Sequence, residues 1–328
     1  MSSDCRARQD AGAAQSLHLP GNTLSRILVT GGAGFIGSRA VGMLVEDGRQ
    51  VTVIDDLSTG SRKSVSRRAD LIVGSITDAD LVNSAVAQSD ACIHLAAIAS
   101  VQRCETAWAK SHQVNQSAFV GLLEAVARRP AGPIPVVYAS SAAVYGEASE
   151  LPTRENSPTR PLSLYGADKL GCELQAHAAA RAGVPSFGLR LYNVYGRGQS
   201  RLSSYSGVIS IFLEQALKGE PLTIYGDGTQ ARDFIHVDDA VRYILAALTR
   251  TSTKSPICNV GTGVETTILD LARTVCRTLK SSSRIRFAGR RRGDLSRSVA
   301  DTSLANKIFK SAPQIPLAQG LQSLLTLA

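Results

Sequence analysis

The sequence predicts an α/β protein built on a doubly wound parallel sheet, with a smaller C-terminal α/β lobe that would hold a substrate. Three observations carry this. Short apolar runs alternate with helix-period segments from Arg26 to Tyr192, the pattern of parallel strands joined by crossover helices. The first run enters a glycine-rich turn that opens a helical pattern, Arg26-Ile-Leu-Val-Thr-Gly-Gly-Ala-Gly-Phe-Ile-Gly-Ser38. Beyond Asn193 the alternation breaks into a polar loop (196–207), a helix (208–218), a short strand (222–225) and another helix (237–249). Irregular material after a regular sheet suits a lobe closing over the carboxyl ends of the strands, where such sheets bind ligands.

The elements follow in order. After the first strand and its helix, Gln50-Val-Thr-Val-Ile-Asp-Asp56 is a second apolar run ending in acid, and Ala69–Gly74 is a third strand. A helical spacing covers 78–88, and Asp90–Ala97 is a fourth strand whose small residues leave room at its end. Val114, Ala118, Val120, Leu122, Leu123 and Val126 recur at helical spacing and predict one long helix over 108–129. Ile134–Ser140 is a fifth strand, the segment around Pro152, Pro158 and Pro161 a loop, and 165–181 a helix stopped by Gly183. Val184–Tyr192 is the sixth strand. The expected organisation is a loose leader (1–24), a sheet domain (25–191) to which about 233–260 returns, and a lobe drawn mainly from 192–328.

In the glycine turn, Gly31, Gly34 and Gly37 recur every three residues, and Gly32-x-Gly34-x-x-Gly37 fits the Rossmann dinucleotide fingerprint. The first glycine permits a tight turn, the middle one lets backbone N–H groups approach a pyrophosphate, and the last allows close helix–strand packing. The helix start adds unpaired N–H groups and a partial positive charge. Asp55 and Asp56 fall near the offset where an acid holds the ribose 2′-hydroxyl. A carboxylate there repels a 2′-phosphate, so the expected cofactor is NAD; a solvated turn before Ser58-Thr59-Gly60 also fits the two acids.

Composition narrows the classes. The 328 residues are 44% hydrophobic, enough for a large core. Nothing approaches the run of about eighteen apolar residues that spans a bilayer, and residues 1–24 lack the apolar core of a secretory signal. No membrane partner and a cytoplasmic location are therefore expected. The net charge is +9, but the basic residues are dispersed. No aromatic interleaves the densest run, Arg290-Arg291-Arg292, as a single-strand binder would need, so no nucleic acid is expected. Six cysteines show no C-x-x-C and no zinc spacing, which predicts reduced thiols and no metal site.

Tyr165-Gly-Ala-Asp-Lys169 places a phenol and an ammonium four residues apart on one helix face. A positive charge beside a phenol favours the phenolate and suits it as a base, although the same spacing is common on ordinary helices. In Tyr138-Ala-Ser-Ser-Ala-Ala-Val-Tyr-Gly146 a strand runs into hydroxyls at its carboxyl end. There a serine either shares a substrate oxygen with the tyrosine or caps a turn.

The glycine loop, His94-Leu-Ala-Ala97, the Ser-Ser-Ala-Ala-Val-Tyr-Gly stretch, Tyr165-x-x-x-Lys169, Arg190-Leu-Tyr-Asn-Val-Tyr-Gly196 and Gly219-Glu-Pro-Leu-Thr-Ile-Tyr-Gly-Asp-Gly-Thr-Gln-Ala-Arg-Asp-Phe234 together resemble the extended short-chain dehydrogenase/reductases. Within them the chain is similar to the nucleotide-sugar 4-epimerases, over residues 26 to about 305. The resemblance implies that Tyr165 is the catalytic base, Lys169 holds the nicotinamide ribose and Ser141 assists at the sugar 4-hydroxyl. It implies NAD contacts from Gly31, Gly34, Phe35, Ile36, Gly37, Asp55, Asp56, Ser75, Ile76, Leu95, Ala96, Ala97 and Asn115. A UDP-sugar would meet Ala142, Asn193, Val208, Ile224, Arg232, Arg292, Asp294 and Ser298.

Ala142 and Ala143 stand where related 4,6-dehydratases carry an acidic pair, so the implied reaction is oxidation at C4 and return of the hydride without loss of water. Ser298 is small where a bulky residue restricts relatives to plain hexoses, which points to UDP-N-acetylglucosamine and UDP-N-acetylgalactosamine. UDP-glucose with UDP-galactose, or a net nucleotide-sugar dehydrogenase or reductase, are the alternatives. Ser75 departs from the family's aspartate beside the adenine and weakens that contact. His94 reads as a packed strand-end residue, Asn115 as a tie between helix and strand, and the helices over 108–129 and 165–181 as the contact of a homodimer.

Overall fold

Ile27 and Val29 face one side of the first strand and Leu28 the other, and all three are buried. A strand covered on both faces belongs inside a parallel sheet. In the computed structural model, which describes residues 24–199, 207–290 and 293–325, this strand is β1 (Arg26–Thr30). It is followed by α1 (Phe35–Glu46), β2 (Gln50–Asp55), β3 (Asp70–Val73), α2 (Ala79–Ala87) and β4 (Ala91–His94). Next come α3 (Val101–Thr106), α4 (Trp108–His112), a π turn (Gln113–Ser117), α5 (Ala118–Ala127), β5 (Val136–Ser141), α6 (Leu164–Ala179) and β6 (Ser186–Leu191). The second half holds β7 (Asn193–Tyr195), α7 (Val208–Leu217), β8 (Leu222–Tyr225), β9 (Ala231–Arg232), β10 (Phe234–His236), α8 (Val237–Ala247) and β11 (Ile257–Val260). It ends with β12 (Thr266–Thr267), α9 (Ile268–Leu279), β13 (Ile285–Ala288), β14 (Arg297–Ser298), α10 (Ser303–Phe309) and α11 (Leu317–Ser323).

Seven strands form the main sheet in the order β11-β6-β5-β4-β1-β2-β3, every neighbouring pair parallel. The chain reverses its direction of travel between β1 and β4, and a crevice opens outside the carboxyl ends at such a switch. One face is covered by α1, α8 and α10, with Val41, Leu44, Val241, Ile244 and Phe309 in one cluster. The other is covered by α2, α5 and α6 through Val82, Val86, Phe119, Leu122, Cys172 and Ala176. After the lobe begins, the chain returns to this sheet with α8 on its face and β11 as an edge strand. The lobe has its own core of Tyr195, Phe212, Leu222, Ile224, Leu271 and Leu321, and three small sheets: β10 with β7, β12-β9-β14, and β13 with β8.

Two helical departures from the sequence reading have clear physical reasons. The single helix expected over 108–129 begins at Val101, breaks at Ala107 (φ −139°, ψ 59°) and passes through the π turn before α5. The wider turn carries Asn115 inward, where its Oδ1 accepts from Ile98 N (2.7 Å) and its Nδ2 donates to Ile98 O (3.2 Å). Helix α9 has no counterpart in that reading, although Leu271, Ala272 and Val275 form a buried stripe. Its outer face bears Arg273 and Arg277, and the basic run from 284 to 292 blends with it as polar sequence.

Candidate active site

The glycine turn lies at the switch point. Gly31 has φ +72°, and a Cβ there would come within 2.6 Å of Ala96 N, so β1 enters the turn directly against the loop after β4. Leu95 N donates to Thr30 O (3.0 Å) and Ala96 N to Thr30 Oγ1 (3.4 Å), which places Leu95, Ala96 and Ala97 beside the turn. A Cβ on Gly37 would stand 2.1 Å from Gly31 O. Gly34, the N-cap of α1, brings no side chain to cap the first turn. The N–H groups of that turn, including those of Phe35 and Ile36, therefore face the crevice as an anion cradle. These backbone features fit a dinucleotide's pyrophosphate.

Asp55 is buried at the end of β2. Its Oδ2 accepts from Ala33 N (2.9 Å) and its Oδ1 from Leu57 N (2.8 Å), so the carboxylate braces the glycine turn. Asp56 is exposed and accepts from Ser58 N (2.9 Å). Ser75 turns to Thr77, whose Oγ1 lies 2.8 Å away, and Ile76 joins the core beneath α2. Asn115 is fully buried and its amide is engaged with Ile98. Both bonds tie the π turn to the loop after β4.

The two serines ending β5 separate by strand alternation. Ser140 is buried and donates to Glu173 Oε1. Ser141 is partly open and its Oγ accepts from Ala143 N (3.1 Å), which leaves its O–H proton to donate outward. Tyr165 sits in the first turn of α6, partly exposed, after the N-cap Ser163 accepts from Gly166 N. Lys169, one turn on and 2% exposed, places its Nζ 5.8 Å from the Tyr165 ring centroid. His94 is buried, stacks on Phe119 at 5.0 Å and shares a 2.8 Å hydrogen bond with Thr30 Oγ1. Burial, and then the Lys169 ammonium, push His94 down to about 3. The ring is therefore neutral, and the positive charge beside the phenol is that of Lys169.

On the lobe side, β14 pairs with β9 so that Ser298 stands opposite Arg232, and Asn193 begins β7 beside Phe234 of β10. Arg232 Nη2 donates to Asp294 Oδ1 at 2.5 Å and its Nη1 to the carbonyls of Ala231 and Leu295. Burial lowers this guanidinium below its usual value, against the opposing pull of Asp294 and Glu147. Glu147, which accepts from Ser296 N (3.2 Å), escaped the sequence reading; an acid directly after Gly146 was its only signal. Ala142 opens the short 3-10 turn after β5, and Val208 opens α7. Ile224 is 0% exposed inside the lobe core, because Leu222 and Ile224 take the inward positions of β8. The structure places Ile224 in the lobe core, packed with Leu222. Arg292 lies outside the described residues.

A doubly wound sheet, a glycine turn at its switch point, a serine ending β5 and a tyrosine–lysine pair in α6 fit a nicotinamide-dependent enzyme. The family profile described as "NAD dependent epimerase/dehydratase family" matches residues 27–261. A UDP-glucose 4-epimerase of Mycolicibacterium smegmatis is 35% identical over 304 residues, 90% of this chain and 96% of that one. The crystal structure of the Thermotoga maritima UDP-glucose 4-epimerase with UDP-glucose superposes with TM-score 0.87 at 33% identity, covering 91% of this chain and 97% of that one. A UDP-N-acetylglucosamine 4-epimerase from Methanobrevibacter ruminantium M1, in complex with UDP-N-acetylmuramic acid, gives TM-score 0.87 at 32% identity over 92% and 97%. The chain belongs to the NAD dependent epimerase/dehydratase family, the extended short-chain dehydrogenase/reductases, and its cofactor is NAD. Among the described residues no helix is long and apolar enough to cross a membrane.

Proposed function

We propose that this protein interconverts UDP-N-acetylglucosamine and UDP-N-acetylgalactosamine at C4. The observation that carries the choice of sugar is Ser298: a small, partly open side chain directly across the β9–β14 ladder from Arg232, the residue suited to a diphosphate. A two-carbon acetamido group fits beside a serine where a large ring would exclude it. A second reading, UDP-glucose with UDP-galactose, is favoured by the similarity to the UDP-glucose 4-epimerases of Mycolicibacterium smegmatis and Thermotoga maritima.

Bound NAD supplies a hydride acceptor at C4 that later returns the hydride. The chain's own residues do the rest. Tyr165 takes the proton of the 4-hydroxyl and later restores it, with Lys169 as the adjacent cation. Ser141, its lone pair engaged by Ala143 N, donates to the same oxygen. Ala142 and Ala143 offer no acid or base to expel water from the sugar, so the 4-keto sugar persists until it is reduced from its other face. Arg232 and Asn193 anchor the diphosphate while the sugar turns, Asp294 and Val208 border the nucleotide, and the crevice at β1 and β4 holds both reactants in range. Asp55 still has lone pairs for a ribose hydroxyl beyond its two backbone bonds. Two copies would pair through α5 and α6, where Val120 and Leu174 are exposed.

Incubation with each of four UDP-hexoses, with separation of the epimers, tests this. The expected result is interconversion of the N-acetylated pair without net absorbance at about 340 nm, the band of reduced nicotinamide. Turnover of the plain hexoses alone favours the second reading, and stoichiometric reduction of NAD removes both. Ser298→Tyr should abolish turnover of the N-acetylated sugar and spare any on UDP-glucose.

A further inference from the structure

Helix α6 carries Tyr165, Lys169 and Glu173 at intervals of four, hence on one face. The first two are assigned to the reaction above; Glu173 is not. It is buried, and Arg190 of β6 meets it as a fork, Nη2 to Oε2 at 2.7 Å and Nε to Oε1 at 2.9 Å, with both side chains under 7% exposed. Oε1 also accepts from Ser140, the residue before Ser141. The remaining Arg190 nitrogen, Nη1, donates to Tyr145 Oη (2.7 Å) and to Glu155 O (2.9 Å), and the guanidinium carbon lies 4.7 Å from the Tyr145 ring centroid. Tyr145 Oη in turn donates to Asn259 Oδ1 on β11 (2.7 Å). One buried pair therefore joins the catalytic helix, the end of β5, β6, the turn after Ser141 and the segment leading into α6.

A buried ion pair is weak evidence of stability, because apolar residues of similar volume often replace one without loss. A fork is, however, directional. The rest of the α6 contact with the sheet includes small apolar side chains, Cys172 and Ala176, which constrain sliding far less. We propose that Glu173 and Arg190 are positioning residues: their fork sets the register of α6 against β5, so that Tyr165 and Lys169 meet Ser141 in reacting geometry. This rests on the reading of those three residues as catalytic.

The test uses the full-length, NAD-loaded chain with Glu173→Leu and Arg190→Met combined, and Arg190→Lys alone, which keeps the charge and loses the fork. A misplacement of about 1 Å costs on the order of 100-fold in rate. The expected result is kcat lower by about 100-fold in the double variant and about 10-fold in Arg190→Lys, with KM for the UDP-sugar within about threefold and Tm close to the parent. Wild-type kcat in a folded double variant overturns the proposal; if that variant does not fold, Arg190→Lys decides by the same criterion. A kcat loss matched by an equal fall in folded fraction also overturns it. Should the parent itself turn over no UDP-sugar, the functional reading fails separately. Crystal structures of parent and Arg190→Lys then decide: Tyr165 displaced from Ser141 supports positioning, and an unmoved pair refutes it.

Discussion

Replacing Gly37 by alanine adds one carbon where two backbone segments already touch. The new Cβ would lie 2.1 Å from Gly31 O and 2.8 Å from Gly32 Cα. Ordinary contact begins at 3.4 Å, so α1 and the turn must part by roughly 1 Å, and no side chain can swing aside to allow it. Overpacking of this kind costs about 1–3 kcal/mol, and the part that opens is the anion cradle itself. We expect NAD affinity to fall by about 10- to 100-fold, since each tenfold is about 1.4 kcal/mol, together with a lowered Tm. Gly42, five residues along the same helix, is the control: a Cβ there meets nothing within 4 Å. Gly42→Ala should be neutral or stabilise by up to about 1 kcal/mol through helix propensity. Calorimetric titration of the NAD-stripped proteins with NAD, and thermal melts, read both variants. Wild-type affinity and Tm in Gly37→Ala would refute the close-approach argument.

Two further outcomes follow from the site. His94 is held neutral, with its folded value about 3 against an ordinary 6.5. Between those values the unfolded chain binds a proton that the native chain does not, so stability falls as pH drops from about 6.5 towards 3. The loss at pH 5 is about 2 kcal/mol; His94→Gln should remove that slope in urea unfolding compared at pH 7 and pH 5, and an unchanged slope would sink the assignment. Asp55→Asn puts an NH₂ against one of two backbone donors, Ala33 N or Leu57 N. It should cost about 1–3 kcal/mol and weaken NAD binding, because the buried donor loses its acceptor; a variant with unaltered melt and affinity would show that the carboxylate does not brace the turn.

What sequence could carry of this architecture is local. The glycine spacing, the acid closing β2 and the serines closing β5 each fall at the carboxyl end of a strand, so chain position alone locates them at the crevice. Strand alternation even separates Ser140 from Ser141 once the burial of one face is known. Yet the direction of an individual side chain depends on partners far along the chain. Asp55 reads as a ribose ligand because its offset from the glycines is right; the geometry adds that its two oxygens brace the turn that makes the offset meaningful. Ile224 sits inside a motif whose neighbours suit a nucleotide site, but the period of two in β8 turns it into the lobe core. Asn115 lies in a helix whose apolar spacing is regular, and nothing in that spacing announces the π turn that directs its amide to Ile98.

The Glu173–Arg190 fork shows the limit most sharply. The partners are seventeen residues apart, on a helix and a strand, and each by itself is an ordinary charged residue in an ordinary place. Their relation exists only after β5 and β6 have paired from Val136 with Ser186 to Ser141 with Leu191, which brings Ser140 level with Arg190. That register puts the arginine under the helix that carries the phenol and the ammonium. Assembly of the sheet therefore precedes, as a physical condition, the geometry of the reacting groups. On the proposed positioning role, a change at Arg190 in β6 is felt at Tyr165 and Lys169 through that helix.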